Sequence, residues 1–209
     1  MSRSTCAYAI ELETIRNLDT EEAKGYVQLF IEDLKLENGL NPDDEIPSEQ
    51  VEYYRDEEEI MKKIFNLGDG PDETNGCLLK QFWWLCDLFG TGLDGLGESL
   101  TSPLTIDALW LKPSLLDGYY NPPFGFPPHD ENIGHLTLEE IKKERELIDG
   151  CLEETYEESC PVPVGRLPPE MLEREIKEWN EIVLPARKDY LEWLDFCIRE
   201  KTDLIIIET

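Results

Sequence analysis

The chain has 209 residues, 40 % of them apolar and 10 % aromatic, which is enough to bury a substantial core within one domain of ordinary size. Its 47 Asp and Glu stand against 19 Lys and Arg, a formal charge of −28, so phosphate backbones and anionic lipid surfaces are expected to repel it. No stretch approaches the roughly 18 to 20 apolar residues that span a bilayer. The N-terminal segment also reaches Glu11 and Glu13 too soon to contain a secretory apolar region, so the expected location is the cytoplasm.

In chain order, Cys6 to Leu12 ("CAYAIEL") alternates and predicts a first strand. Asp19 with Glu22 three residues on is a capping-box pattern, and Ala23, Val27, Phe30, Ile31 and Leu34 form the apolar stripe of the helix that follows. Glu37 to Gly39 ends that helix, and Pro42 to Pro47 reads as a loop. Ser48 is placed to cap a second helix through Val51, Tyr54, Ile60, Ile64 and Phe65, which stops at Gly68 to Asp72. A third helix, about Cys77 to Phe89, is apolar nearly all round and predicts a central buried element. Trp83 and Trp84 point about 100° apart on it, so one can line a cleft while core packing remains the ordinary role of both.

From about 90 to 136 the texture is Gly-, Pro- and aromatic-rich and predicts an irregular stretch, the kind of long loop that forms a binding surface. No G-x-x-x-x-G-K-[ST] occurs, and "GTGLDGLG" follows a helix instead of a strand, which argues against phosphate-loop and dinucleotide readings. Both histidines of the chain, His129 and His135, lie in "FGFPPHDENIGHLTLEEI", with Asp130 beside the first. Thr137 and Glu140 form a second capping box, with Leu138, Ile141, Ile148 and Leu152 as its stripe, so His135 falls in the loop just ahead of a helix. No H-x-x-x-H or H-E-x-x-H spacing accompanies the histidines, so neither a metal nor a cofactor is expected.

The C-terminal segment repeats apolar residues at Leu172, Ile176, Trp179, Val183, Ala186, Tyr190, Leu194 and Cys197, keeping phase across Pro185. That predicts one helix from about Pro168 to Glu200, kinked at the proline, followed by Asp203 to Thr209 as a strand buried on both faces. The fold class expected is therefore α+β: a small sheet containing the N- and C-terminal strands, packed by several helices around a central aromatic helix, in a single domain. The six cysteines lack any C-x-x-C pair and are expected to be reduced and buried, with Cys151 and Cys160 the pair to examine for redox chemistry.

The acids concentrate in two internal segments. Asp43 to Glu59 has nine acids and one Arg, and Glu139 to Glu158 has nine acids and three bases. Solvated helix faces are the simple explanation. The sharper one is a surface that docks a basic protein partner, for which Asp43, Asp44, Glu52, Asp56, Glu57 and Glu58 are the candidate residues. An immunity or inhibitor protein would use such a surface to occupy a partner's basic active site or nucleic-acid-binding face. The alternative is a small-molecule binder or enzyme with a pocket under residues 90 to 135, for which Trp84, Tyr119, Tyr120, His129, Asp130 and His135 are the candidates.

Taken together, "AYAIELETI", "FWWLCDLFGTG" with its nearby "SPL", "IGHLTLEEI" and "YLEWLDFCIREKTDLIII" resemble the YfbM-like group of bacterial proteins of unknown function. The resemblance spans about half the chain and implies an α+β fold and a bacterial cytosolic protein. It supplies no active-site residues, and the acidic segment around Asp43 to Glu59 reads as an elaboration of the family pattern.

Overall fold

The computed structural model describes residues 5–70, 78–93, 109, 111, 122–126, 133–159 and 167–208. Alternating apolar residues at the two chain ends make the centre of the fold. β1 (Thr5–Ile10) and β4 (Asp203–Glu208) pair antiparallel over their whole length, with Ala7 opposite Ile206 and Ala9 opposite Leu204. β2 (Thr91–Gly92) adds to the outer edge of β1 and β3 (Ile133–Leu136) to that of β4, giving the antiparallel order β2-β1-β4-β3. The expected pairing of the terminal strands is thus present. Both edge strands come from the two ends of the 90–136 stretch expected to be irregular. At two and four residues they are too short to show alternation, and β3 carries a glycine and a histidine.

Because successive side chains of a strand point to opposite faces, the sheet separates two cores. Ile10, Ile133, Ile205 and Ile207 face α1 (Leu12–Arg16), α2 (Thr20–Glu37), α3 (Val51–Ile64) and α4 (Leu79–Phe89). Ala7, Ala9, Leu136, Leu204 and Ile206 face α5 (Leu138–Leu147) and the long C-terminal helix. Leu204 through Ile207 are all fully buried, as a strand covered on both faces requires.

The helix ends follow local chemistry. Asp19 Oδ1 accepts the N–H groups of Glu21 and Glu22 at 2.9 and 3.0 Å and so starts α2. Gly39, at φ +76°, ends it: the Leu40 N–H returns to the Lys35 carbonyl and the Gly39 N–H to that of Leu36. Thr137 and Glu140 form the expected capping box of α5, although Leu152, expected in its stripe, is exposed. Ser48 does not cap α3. That helix begins after Gln50, Ser48 Oγ turns to Glu49, and Val51 is exposed instead of joining the stripe. α3 also stops earlier than its glycines suggest, because Asn66 takes the left-handed conformation while the Leu67 N–H bonds to the Lys62 carbonyl.

The C-terminal stripe keeps its phase as expected, but the irregularity is one wide π-helical turn, Trp179–Val183, between α7 (Pro169–Glu178) and α8 (Leu184–Glu200). Pro185 follows it after one intervening residue, Leu184. Proline has no N–H to bond and its ring crowds the carbonyl four residues back, and a widened turn relieves that crowding. A four-residue helix, α6 (Tyr156–Ser159), lies between α5 and α7 and closes a small cluster of Tyr156, Trp179 and Val183.

Candidate functional site

The cleft that gathers the most chemistry lies where α2 and α4 cross. Phe30, Asp33, Leu34 and Glu37 repeat at helical spacing on α2, and Lys80, Trp83, Trp84 and Asp87 repeat with the same spacing on α4. These two stripes enclose a cleft of about 280 Å³. Trp84 donates its indole N–H to Asp33 Oδ2 at 2.9 Å and meets the Phe30 ring edge to face at 5.5 Å. Trp83 meets Tyr8 of β1 in the same manner at 5.8 Å. Both tryptophans are half-buried and both line the cleft. α4 is correspondingly not buried all round: Lys80, Asp87 and Leu88 face solvent.

The rim of the cleft is acidic. Asp33, Glu37 and Asp87 line it with Lys80, whose Nζ is 3.7 Å from Glu37 Oε2 and 3.4 Å from the Tyr53 hydroxyl. Partial burial opposes the Lys80 ammonium, but the Tyr53 hydrogen bond and the charges of Glu37 and Glu57 outweigh it and hold its pKa above the ordinary lysine range. The cleft therefore already holds one cation belonging to the chain itself, and two carboxylate charges remain in excess.

Lys80 also ties the cleft to α3 through Tyr53, with Glu52 immediately before that tyrosine and Asp56 about one turn after it. The acids predicted as a docking surface divide at this point. Glu52 and Asp56 lie on the Tyr53 flank of α3, at 3.4 and 3.5 Å from Arg55. Glu58 lies on the opposite flank, held by Lys62 at 2.8 Å beside a groove against α2. Asp43 is exposed in the preceding loop. Asp44 is a turn builder: its Oδ2 accepts both N–H and Nδ2 of Asn41, and those bonds hold its pKa below the usual carboxylate range.

Glu57, expected in the docking surface, does not belong to it. It is buried, 5 % exposed, and accepts a hydrogen bond from the amide of Gln81 on α4, so it cannot touch a partner. Burial raises its pKa, with Asp56 adding to the rise and Lys80 opposing it. The sequence carried a signal for this, since residue 57 shares the inward stripe of Ile60, Met61 and Ile64 at helical spacing.

Of the pocket candidates, Tyr119, Tyr120, His129 and Asp130 lie outside the described residues. His135 is on strand β3, opposite Ile205, and not in a loop. Nearby, burial opposes the change but the Thr137 N–H and hydroxyl lower the pKa of Glu140, and burial raises that of Asp203 against its backbone hydrogen bonds. Asp203 accepts the Leu138 N–H at 2.8 Å, a structural bond that fastens α5 to the sheet. His135 does not line the Trp84 cleft, so these two candidates are not brought together. Among the described residues no group of three or more His, Cys, Asp or Glu side chains is placed to hold a metal ion.

A polar cluster that the sequence reading missed lies between α5 and α8. Arg187 is fully buried and donates to the carbonyls of Leu109 and Cys151 at 2.8 and 2.7 Å and to Glu154 at 2.8 Å, with its guanidinium 4.5 Å from the Trp179 ring centre. Glu144 is fully buried and accepts from the Tyr190 hydroxyl at 3.3 Å. Position 187 falls one residue after Ala186 of the stripe, and position 144 three after Ile141, which was the available signal. Cys86, Cys151 and Cys197 are free, buried thiols, and burial raises all three, Cys197 to about 11, which keeps them protonated at neutral pH. Cys160, the proposed partner of Cys151, lies outside the described residues.

Compared with family models, with curated proteins and with solved structures, the chain finds no match. No helix among the described residues is long and apolar enough to cross a membrane.

Proposed function

We propose that this is an acidic interaction protein of the cytoplasm that docks a basic surface of a protein partner through its α2–α4 cleft and the adjoining Tyr53 flank of α3. The observation that carries this reading is the cleft itself, where Trp83 and Trp84 stand among Asp33, Glu37 and Asp87 with Lys80 as the opposing charge. Tryptophan with a polar rim is what protein interfaces use for their anchors. The overall charge of −28 would speed encounter with a basic partner and reject nucleic acid. An immunity or inhibitor role, in which the protein covers a basic active site or nucleic-acid-binding face, is the form of interaction this charge suits best.

Equilibrium binding of the full chain to an immobilised lysine- and arginine-rich peptide, followed as salt is raised, tests the reading. Binding at low ionic strength that weakens steadily as the Debye length shrinks is expected. Absence of binding at low salt would refute it.

A further inference from the structure

We propose that the α2–α4 cleft is built to anchor one arginine side chain of the partner, its guanidinium stacked on tryptophan and forked onto the carboxylates of Glu37 and Asp87. The inference rests on the basic-partner reading above and specifies its chemistry. Four observations lead to it.

The first is size. At about 280 Å³ the cleft lies at the lower edge of the roughly 300 to 1,000 Å³ range typical of sites that take a whole small molecule, so a single side chain is the better match. The second is the wall. Trp83 and Trp84 both line the cleft, and indole faces are the strongest aromatic partners for a cation. The third is charge: three carboxylates line the cleft against one ammonium. The Trp84 N–H engages only Oδ2 of Asp33, while Glu37 and Asp87 are exposed and can turn toward a ligand.

The fourth observation is Lys80. The chain places its own cation at the rim, and Glu37 and Tyr53 hold it charged against the opposing effect of burial. Tyr53 on α3 contributes most to holding it charged, and Glu37, a carboxylate of the cleft, adds to it. The chain's cation is 3.7 Å from Glu37, longer than a good charge-assisted hydrogen bond, so Glu37 can still accept a closer donor. A guanidinium suits this geometry better than a second ammonium. It is planar, it stacks, it is weakly hydrated, and its fork matches a carboxylate with two parallel hydrogen bonds. The complementary charge selects this occupant over an apolar helix or an anion.

Three eight-residue peptides distinguish the possibilities on the full chain at low salt: alternating Gly and Arg, Gly and Lys, and Gly and citrulline, the last keeping the shape of arginine without its charge. Calorimetry should find the arginine peptide bound about threefold more tightly than the lysine peptide, and the citrulline peptide bound weakly or not at all. Replacing Glu37→Gln and Asp87→Asn together should weaken the arginine peptide about tenfold. Both residues lie in the last turns of their helices, where loss of a negative charge does not harm the helix. The matched pair Glu146→Gln and Glu153→Gln, two exposed acids of the α5 region, removes the same charge elsewhere and should weaken binding less than about twofold at moderate screening.

Equal affinity for the arginine and lysine peptides, or equal weakening by the two charge pairs, would overturn the anchor while leaving a general basic-partner reading intact. Failure of both cationic peptides to bind would overturn the anchor and that reading together.

Discussion

On the α1–α4 side of the sheet the interior is aliphatic and aromatic, with Glu57 and Gln81 as a buried polar pair, while the α5–α8 side carries Arg187, Glu144 and Asp189 into its core. Of the acids on the first side, the exposed Glu37 and Asp87 line a tryptophan cleft, and Glu52 and Asp56 stand on the adjoining flank of α3. Several acids of the second side have structural work instead: Glu154 pairs with Arg187, Glu140 caps α5, and Glu144 receives Tyr190. Within each acidic segment some carboxylates therefore build the fold, as Asp44, Glu57 and Glu154 do, and others face solvent, as Glu52 and Glu153 do. Charge density alone does not identify a docking face; the neighbours of each carboxylate do.

The largest expected effect is on the element the two sides share. Deleting Leu204 to Thr209 removes the strand that lies between β1 and β3 and empties both cores at once. Four apolar side chains are lost, each worth roughly 1.5 to 3 kcal/mol when fully buried, against about 5 to 15 kcal/mol for a typical domain. The truncated chain should be insoluble or molten, and cooperative melting at the parent temperature would contradict the topology.

The next effect is confined to the α5–α8 side. Arg187→Ala removes the guanidinium donor from two buried carbonyls and from Glu154, which keeps the Ser159 hydroxyl, and should cost about 3 to 5 kcal/mol, read by urea denaturation. Arg187→Lys should recover little of that, since one ammonium cannot reproduce the fork or the stacking on Trp179. Full stability in Arg187→Lys would show that the charge alone suffices.

On the α1–α4 side the matching change is milder. Glu57→Ala deprives the Gln81 amide of its acceptor and should cost about 1 to 3 kcal/mol. Glu57→Gln keeps an acceptor and isolates the charge. Because burial raises the Glu57 pKa, the folded state holds its proton longer than the unfolded chain does. Wild-type stability is therefore lost as pH rises from the ordinary glutamate range through the raised value. The Gln variant lacks that loss, so its melting temperature should gain on wild type as pH rises above the ordinary glutamate range. A gap that opens in the other direction would mean that Lys80 stabilises the buried carboxylate more than burial penalises it.

A smaller shift of the same sign is expected on the second side. Asp189 is 5 % exposed, its Oδ2 has no hydrogen-bond partner among the described residues, and burial raises its pKa, with Glu192 adding to the rise and Lys188 opposing it. Asp189→Asn should flatten the fall in stability with rising pH by less than Glu57→Gln does, because Lys188 lies beside it on an exposed edge. A steeper fall would contradict the assigned environment.

These differences also show what the sequence could reveal. Elements with a long periodic pattern were legible: the α2 stripe, the α5 capping box and the C-terminal strand all stand where their residues place them. Features set by tertiary neighbours were not. The two edge strands exist because β1 and β4 offer them hydrogen-bonding edges, and no local pattern announces that. The sequence suggests Trp84 for a pocket under residues 90 to 135; the cleft it lines between α2 and α4, and its bond to Asp33, fifty-one positions away, were not legible. Glu57 was misplaced because its neighbours are acidic, although its helical phase pointed inward.

The docking face is proposed to lie on the α1–α4 side of the sheet. The most direct test of this placement is the association rate of the alternating Gly–Arg peptide at low salt, measured by stopped-flow tryptophan fluorescence on two charge-reversal pairs. Glu52→Lys with Asp56→Lys changes the flank beside the cleft, and Glu146→Lys with Glu153→Lys makes the same change in the α5 region. Rim charges act mainly on the on-rate, so the first pair should slow association about tenfold and the second less than about twofold. Equal slowing by the two pairs, or greater slowing by the second, would contradict this placement.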